Sequence, residues 1–377
     1  LPRRILLLTG CFARAAAERH SISRLWKQSS GLIARSVTQN AGDHGEHYIT
    51  RDKKEYWAMF YSAAGGGVLI ALMALFKTYL GSIIDDKVWK GLAEGLNYGF
   101  GFMVIFMLHF TVATKQPAMT AARFAEAVEK NPQGKTLNMK LAQLLVDVFR
   151  SQSVAVLGNV VVAMGLAALI AFVYQHQTGE PLMNSEKIAY QLHRIDPLDG
   201  SLWFAAIAGV WLFCSGIISG YFDNRSNYLN MRMRLAQHPL LKKLMSEKSR
   251  VKFANYMHEN YGSLIGNFCF GMLLGLTGLV GYLTHLPLDI RHVAFSSANL
   301  GYSAVSGQFA YPFFLQCIAF VLLIGLVNLI VSFSLTLWVA LRSLNAEIES
   351  WWPIWYEVCQ IVKKRPLSLF FPVQLDK

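Results

Sequence analysis

The run FFLQCIAFVLLIGLVNLIVSFSLTLWVAL, residues 313–341, carries no charged side chain over its 29 positions. A bilayer core about 30 Å thick is crossed by roughly 20 apolar residues at about 1.5 Å rise each. This run is therefore long enough to span. Five more stretches of the same kind precede it, at Trp57–Leu80, Gly91–Ala113, Val154–Tyr174, Leu202–Phe222 and Gly262–Thr284. Soluble cores rarely supply six such runs with charges kept out of their middles. The expected fold is all-α: a polytopic membrane protein, a bundle of about six transmembrane helices with cytoplasmic helical extensions.

The basic residues give that bundle an orientation. Lys plus Arg number ten up to Tyr56, six in the second connection, eight in the fourth and five in the tail, against two, two and one in the first, third and fifth connections. Bases near spanning helices are retained in the cytoplasm, so both termini and the two long basic connections are expected inside a bacterial inner membrane. Lys77, the remaining base, falls near the outer end of the first run, where its stem can snorkel. The net charge of +12 in 377 residues is thereby assigned to topology and to anionic lipid rather than to nucleic acid. The 54% hydrophobic and 15% charged content excludes an ordinary soluble protein. Membrane lipids are the expected partners, with a protein partner reached through the cytoplasmic basic regions.

Three regions follow from this reading. Residues 1–56 are expected to be the end of a cytoplasmic helical region in a chain that opens on Leu1, residues 57–341 the transmembrane domain, and residues 342–377 a cytoplasmic tail. Leu141, Leu144, Leu145 and Val148 recur with helical spacing ahead of the third run, and no breaker separates them from it. One helix from Leu137 to Tyr174 would be about 57 Å long. The fifth connection, residues 285–312, is rich in Ser, Gly and Ala with almost no charge. It reads either as an outer loop or as a segment dipping back into the bundle, which irregular backbone can do only where protein covers it.

Chemistry-bearing residues are sparse. Gly91, Gly95 and Gly99, and Gly271 with Gly275, stand four apart and suit close helix contact. Glu94 and His109 lie near the ends of the second run, away from the midplane. Asn97, Asn159 and Asn267 could form an intramembrane polar seam, with interhelical hydrogen bonds as the alternative. Polar clusters mark the membrane edges: Lys115, Gln116 and Thr120 with Asp223, Asn224 and Arg225 on the cytoplasmic side, and Asp289, Arg291 and His292 on the other. These nine are the candidate binding residues, and Lys115–Asp223 and Asp289–Arg291 are candidate ion pairs. No His-Glu-x-x-His, Cys-x-x-Cys or Gly-x-Ser-x-Gly occurs. No catalytic residue, metal site or cofactor is expected.

The stretches His47–Arg51, Glu55–Phe60, Ser62–Gly67, Leu96–Gly99 and Ala113–Thr120 resemble a bacterial membrane protein family known as "site-specific recombinase". Phe149–Gln152, Phe222–Asn224 and Pro287–His292 continue the likeness, which covers roughly residues 45–341. The resemblance implies cutting and rejoining of DNA. Tyrosine recombinases use a His-x-x-Arg motif, and this chain contains none. The expected function is instead the binding of a lipid or protein partner at the cytoplasmic face, with small-solute transport as the alternative and DNA recombination as the second.

Overall fold

The computed structural model describes residues 49, 50, 52–112, 120, 121, 124–128, 135–344 and 348–372. Residues 1–48, and with them most of the expected N-terminal region, lie outside that set, as do Lys115 and Gln116. The described residues form helices without a strand. In chain order these are α1 (Lys53–Ile83), α2 (Lys87–Met107), α3 (Lys135–Thr178), α4 (Ser185–Ile195), α5 (Ser201–Tyr228), α6 (Met231–Gln237), α7 (Pro239–Leu244), α8 (Glu247–Thr284), α9 (Val293–Ser306), α10 (Tyr311–Leu344) and α11 (Trp352–Lys364). Short polar residues start several of them by accepting first-turn N–H groups. Asp52 accepts from Glu55, Asp86 from Val88 and Trp89, and Asn184 from Lys187.

Among the described residues five helices, α1, α3, α5, α8 and α10, are long and apolar enough to cross a membrane. The sequence led us to expect six. The second run forms α2, whose 21 residues measure about 31 Å; it has the length, but Lys87, Lys90 and Glu94 crowd its first half. The helix projected from Leu137 is continuous, as α3 runs unbroken for 44 residues. Exposed aromatic rings mark both ends of the long helices, Trp57, Tyr61, Tyr221 and Trp338 at one and Tyr79, Trp89, Trp203 and Tyr311 at the other. Such rings favour the two membrane–water boundaries.

The long helices surround α9. Helix α2 lies along α8, α8 along α5 and α5 along α10, while α1 sits between α2 and α3. Glycine permits the closest of these contacts. A side chain at Gly271 would land on the Tyr98–Gly99 backbone and one at Gly275 on Gly95, so the α2–α8 seam is backbone against backbone. On α1, Gly67 likewise meets the backbone of Asn159 and Ala163 in α3.

The fifth connection dips back into the bundle. After α8 ends at His285 in left-handed backbone (φ 57°), Leu288 lies against Gly281 and Asp289 beside Gly278, and the His292 ring reaches Phe270 at 5.8 Å between centroids. The chain thus descends alongside α8, then returns as α9 packed on α3, α10 and α1. Helix α9 is covered on every side: residues 293–298 and 300–303 are all buried. Asn328, fully buried in α10, secures its start. Its Oδ1 accepts from the Val293 N–H at 3.1 Å, and its Nδ2 donates to the carbonyls of Ala205 at 2.7 Å and Arg291 at 2.9 Å. At its far end, the Tyr302 hydroxyl donates to the Ala71 carbonyl at 3.0 Å.

At the opposite end of the bundle the first and last described segments meet on α3. Arg150 donates to the carbonyls of Thr50 and Ser368 and pairs with Asp147 at 2.9 Å. Ile354 of α11 packs with Leu137, Leu141 and Leu337.

Candidate functional site

A cavity of about 530 Å³ opens at the end of the bundle where α1 meets α2. Its walls come from four places far apart in sequence. The α1–α2 hairpin supplies Lys77, Thr78, Lys87, Lys90 and Glu94; α4 supplies Lys187, Tyr190, Gln191 and Arg194; α8 supplies Tyr282; and the descending segment with α9 supplies Asp289 and Asn299. Asp86 and Asn184 set two of these walls by capping α2 and α4. Both helices therefore begin at the cavity, with Lys87 and Lys90 in the first turn of α2 and Lys187 in the first turn of α4.

The floor holds paired charges. Asp289 accepts from Arg291 Nη1 at 2.6 Å and lies 3.4 Å from Arg194 Nη1, so the Asp289–Arg291 pair expected from sequence is present. Arg194 also donates to the Tyr190 hydroxyl at 2.6 Å and to the Ile290 carbonyl at 3.2 Å. Arg291 donates through Nε to the Arg194 carbonyl at 2.7 Å and lies over the Phe204 ring at 4.8 Å. Burial alone would raise the Asp289 carboxyl, but Arg194 and Arg291 outweigh it and hold the group at about 2. Burial likewise opposes the charge on Arg194, yet Asp289 and Tyr190 raise that guanidinium above its ordinary range. For Arg291, burial and the neighbouring Arg194 prevail and lower it. Lys77 and Glu94 form a second pair at 3.0 Å across α1 and α2.

The rim is different. Lys87 lies over the Tyr282 ring at 4.1 Å. Neither it nor Lys90 or Lys187 has a carboxylate within ion-pair distance among the described residues. Five bases against two acids leave the cavity lining with a surplus of three positive charges, and the neutral polar side chains around them are Thr78, Tyr190, Gln191 and Asn299.

The sequence-predicted residues fall in separate places. Asp289 and Arg291 are at this cavity; His292 is one residue deeper, its ring among those of Phe102, Phe270 and Phe295. Asp223 is at the other end of the bundle, accepting from the Gly262 N–H at 2.9 Å, with Asn224 and Arg225 beyond it. Thr120 is buried there too. Lys115 and its expected pairing with Asp223 lie outside the described residues. The three Asn side chains are not brought together. Asn97 donates to the Met73 carbonyl at 3.0 Å, Asn159 to those of Ala63 and Thr111, and Asn267 to Ser263 in its own helix at 2.7 Å.

Sequence reasoning missed Lys77, Lys87, Lys90, Lys187, Tyr190 and Arg194 as site residues. A signal was present. The three base-poor connections and the apolar run Trp57–Leu80 hold six bases in all, Lys77, Lys87, Lys90, Lys187, Arg194 and Arg291. Five line this cavity and the sixth is bonded to its Asp289.

A family model described as "Site-specific recombinase" matches residues 2–372. No curated protein and no solved structure matches the chain.

Proposed function

The chain belongs to the site-specific recombinase family, and from that membership and its cavity together we propose an integral protein of the bacterial inner membrane that binds a small anionic solute from outside the cytoplasm. Both termini and the basic connections are cytoplasmic in this reading, α2 is the sixth crossing, and the cavity opens on the opposite side. One observation supports it above the others: every base outside the cytoplasmic segments converges on one concave site. Retention of Lys and Arg in the cytoplasm makes outer bases costly to topology, and random placement would scatter them among three connections. A volume of about 530 Å³ lies within the range of roughly 300–1,000 Å³ usual for small-molecule sites.

The cavity favours a solute over the lipid or protein partner expected at the cytoplasmic face, and it makes carriage of that solute across the bundle a natural extension. DNA strand exchange, which the family description implies, draws on no residue of this cavity.

The test is a thermal-shift series on purified protein with small anions and matched neutral solutes. Anions should raise the unfolding midpoint and Lys90→Glu should remove most of that rise. Equal stabilisation by neutral solutes, or none by any anion, would reject the proposal.

A further inference from the structure

We infer that the solute is a phosphate monoester, held at the rim by Lys87, Lys90 and Lys187; the inference rests on the solute-binding reading above and specifies its ligand. Three observations lead to it. First, the guanidinium groups are already engaged. Arg194 and Arg291 share Asp289, so planar two-pronged recognition of a carboxylate, the usual task of arginine, is satisfied within the protein. What faces the ligand is ammonium: three compact charges with rotatable donors and no internal carboxylate.

Second, all three lysines stand where helices disfavour cations. Lys87 is the first residue of α2 and Lys90 its fourth, and Lys187 is the third of α4. The N-terminal end of a helix carries partial positive charge and prefers acids. Each lysine is thus unfavourable for its own helix as well as for topology. Residues that break two local rules at once, in one place, are expected at functional sites.

Third, the three ammonium groups together form a positive field around one mouth, in excess of the Asp86 carboxylate that caps α2 and of Glu186 in the first turn of α4. The complementary ligand brings at least two negative charges and several acceptor oxygens on one small centre. A phosphate monoester has three terminal oxygens, and its second ionisation near pH 6 gives it nearly two charges at neutral pH. A monocarboxylate or a phosphodiester brings only one. Tyr190, Gln191 and Asn299 are placed to donate to an ester's hydroxyl groups, and the Thr78 hydroxyl, which itself donates to the Ala74 carbonyl at 3.1 Å, to accept from one.

The experiment measures binding of glycerol 3-phosphate and inorganic phosphate to the purified full chain in detergent and in phosphatidylcholine nanodiscs, with succinate and methylphosphonate monoester as charge controls. Glycerol 3-phosphate should bind at least tenfold more tightly than either control, and more tightly at pH 7.5 than at pH 5.5 as the dianion forms. Lys87→Gln, Lys90→Gln and Lys187→Gln should each weaken binding about tenfold while leaving the midpoint of the ligand-free protein unchanged or higher, since each removes a cation from a helix start. A lowered ligand-free midpoint with unchanged affinity would show a structural role for the lysines and overturn the inference. Succinate binding as tightly as the ester would overturn the ligand class and leave the solute-binding reading standing; no binding by any anion would remove both. Nanodiscs containing phosphatidic acid separate the two sources of this chemistry. Competition with the soluble ester assigns the site to a lipid headgroup, and absence of competition to a free phosphate ester.

Discussion

At the scale of single residues, Asp289 shows how a charged group is kept at such a site. It accepts from Arg291 and lies beside Arg194, and its carboxyl is held at about 2, against roughly 3.9 in an unfolded chain. A carboxyl with a depressed folded pKa contributes stability above the unfolded value and loses it as pH falls through the folded one. Stability in detergent should therefore decline between about pH 4 and pH 2, and Asp289→Asn should flatten that limb while lowering the midpoint at neutral pH. A titration of unfolding midpoint against pH in both proteins checks this. The sequence placed Asp289 with Arg291 because they stand two apart in one polar cluster. It could not bring in Arg194, 95 positions away, because that contact exists only once α4 lies over the descending segment.

At the scale of elements, hydrophobic length and glycine spacing were the legible signals. The runs became helices, α3 was continuous, and the glycines four apart became the α2–α8 seam. Adding a methyl group there should be disruptive. Gly271→Ala drives it into the Tyr98 backbone, and overpacking of a close seam costs on the order of 1–3 kcal/mol, which a fall of several degrees in the unfolding midpoint would register. Gly165→Ala in α3 is the control, with no atom within 4 Å of the added carbon; it should be neutral or gain about 0.5–1 kcal/mol from helix propensity. Helix α9 was only half legible. Its Ser- and Ala-rich sequence lacks the apolar content of a buried segment, yet it is buried, because hydroxyls such as Ser297 return to a carbonyl of their own helix at 2.7 Å and Asn328 satisfies its first N–H. Composition alone does not reveal such internal satisfaction of polar groups.

For the whole molecule, the uneven sharing of bases between alternate connections carries the proposed orientation, and the fold adds one observation to it. Lys77, Lys87, Lys90, Lys187 and Arg194 are gathered at one cavity. The orientation is testable in intact cells with a membrane-impermeant maleimide: K187C should be labelled directly, and K243C only after the membrane is opened. The reverse pattern would turn the cavity toward the cytoplasm. Convergence of the hairpin, α4 and the descending segment was beyond the sequence because it depends on how three connections fold over one another, and no periodicity within any one of them encodes that.

The helix α4 that bears Lys187, Tyr190, Gln191 and Arg194 is reached and left through Gly179 (φ 76°) and Gly200 (φ 80°), the glycines in left-handed backbone among the described residues. A side chain at Gly179 would meet nothing within 4 Å, and one at Gly200 only the Phe204 ring at 3.8 Å. Residues 180–199 are therefore joined to the bundle through two left-handed positions that favour glycine whatever the space around them, and buried Met183 and Ile195, with Arg194 on Asp289 and the Ile290 carbonyl, bind the segment to its surroundings. Under the proposed function, an exchange of 180–199 that keeps Met183, Arg194 and Ile195 rewrites one wall of the cavity, spares the contacts of Arg194 with Asp289 and Ile290, and leaves α1, α3, α5, α8 and α10 unaltered.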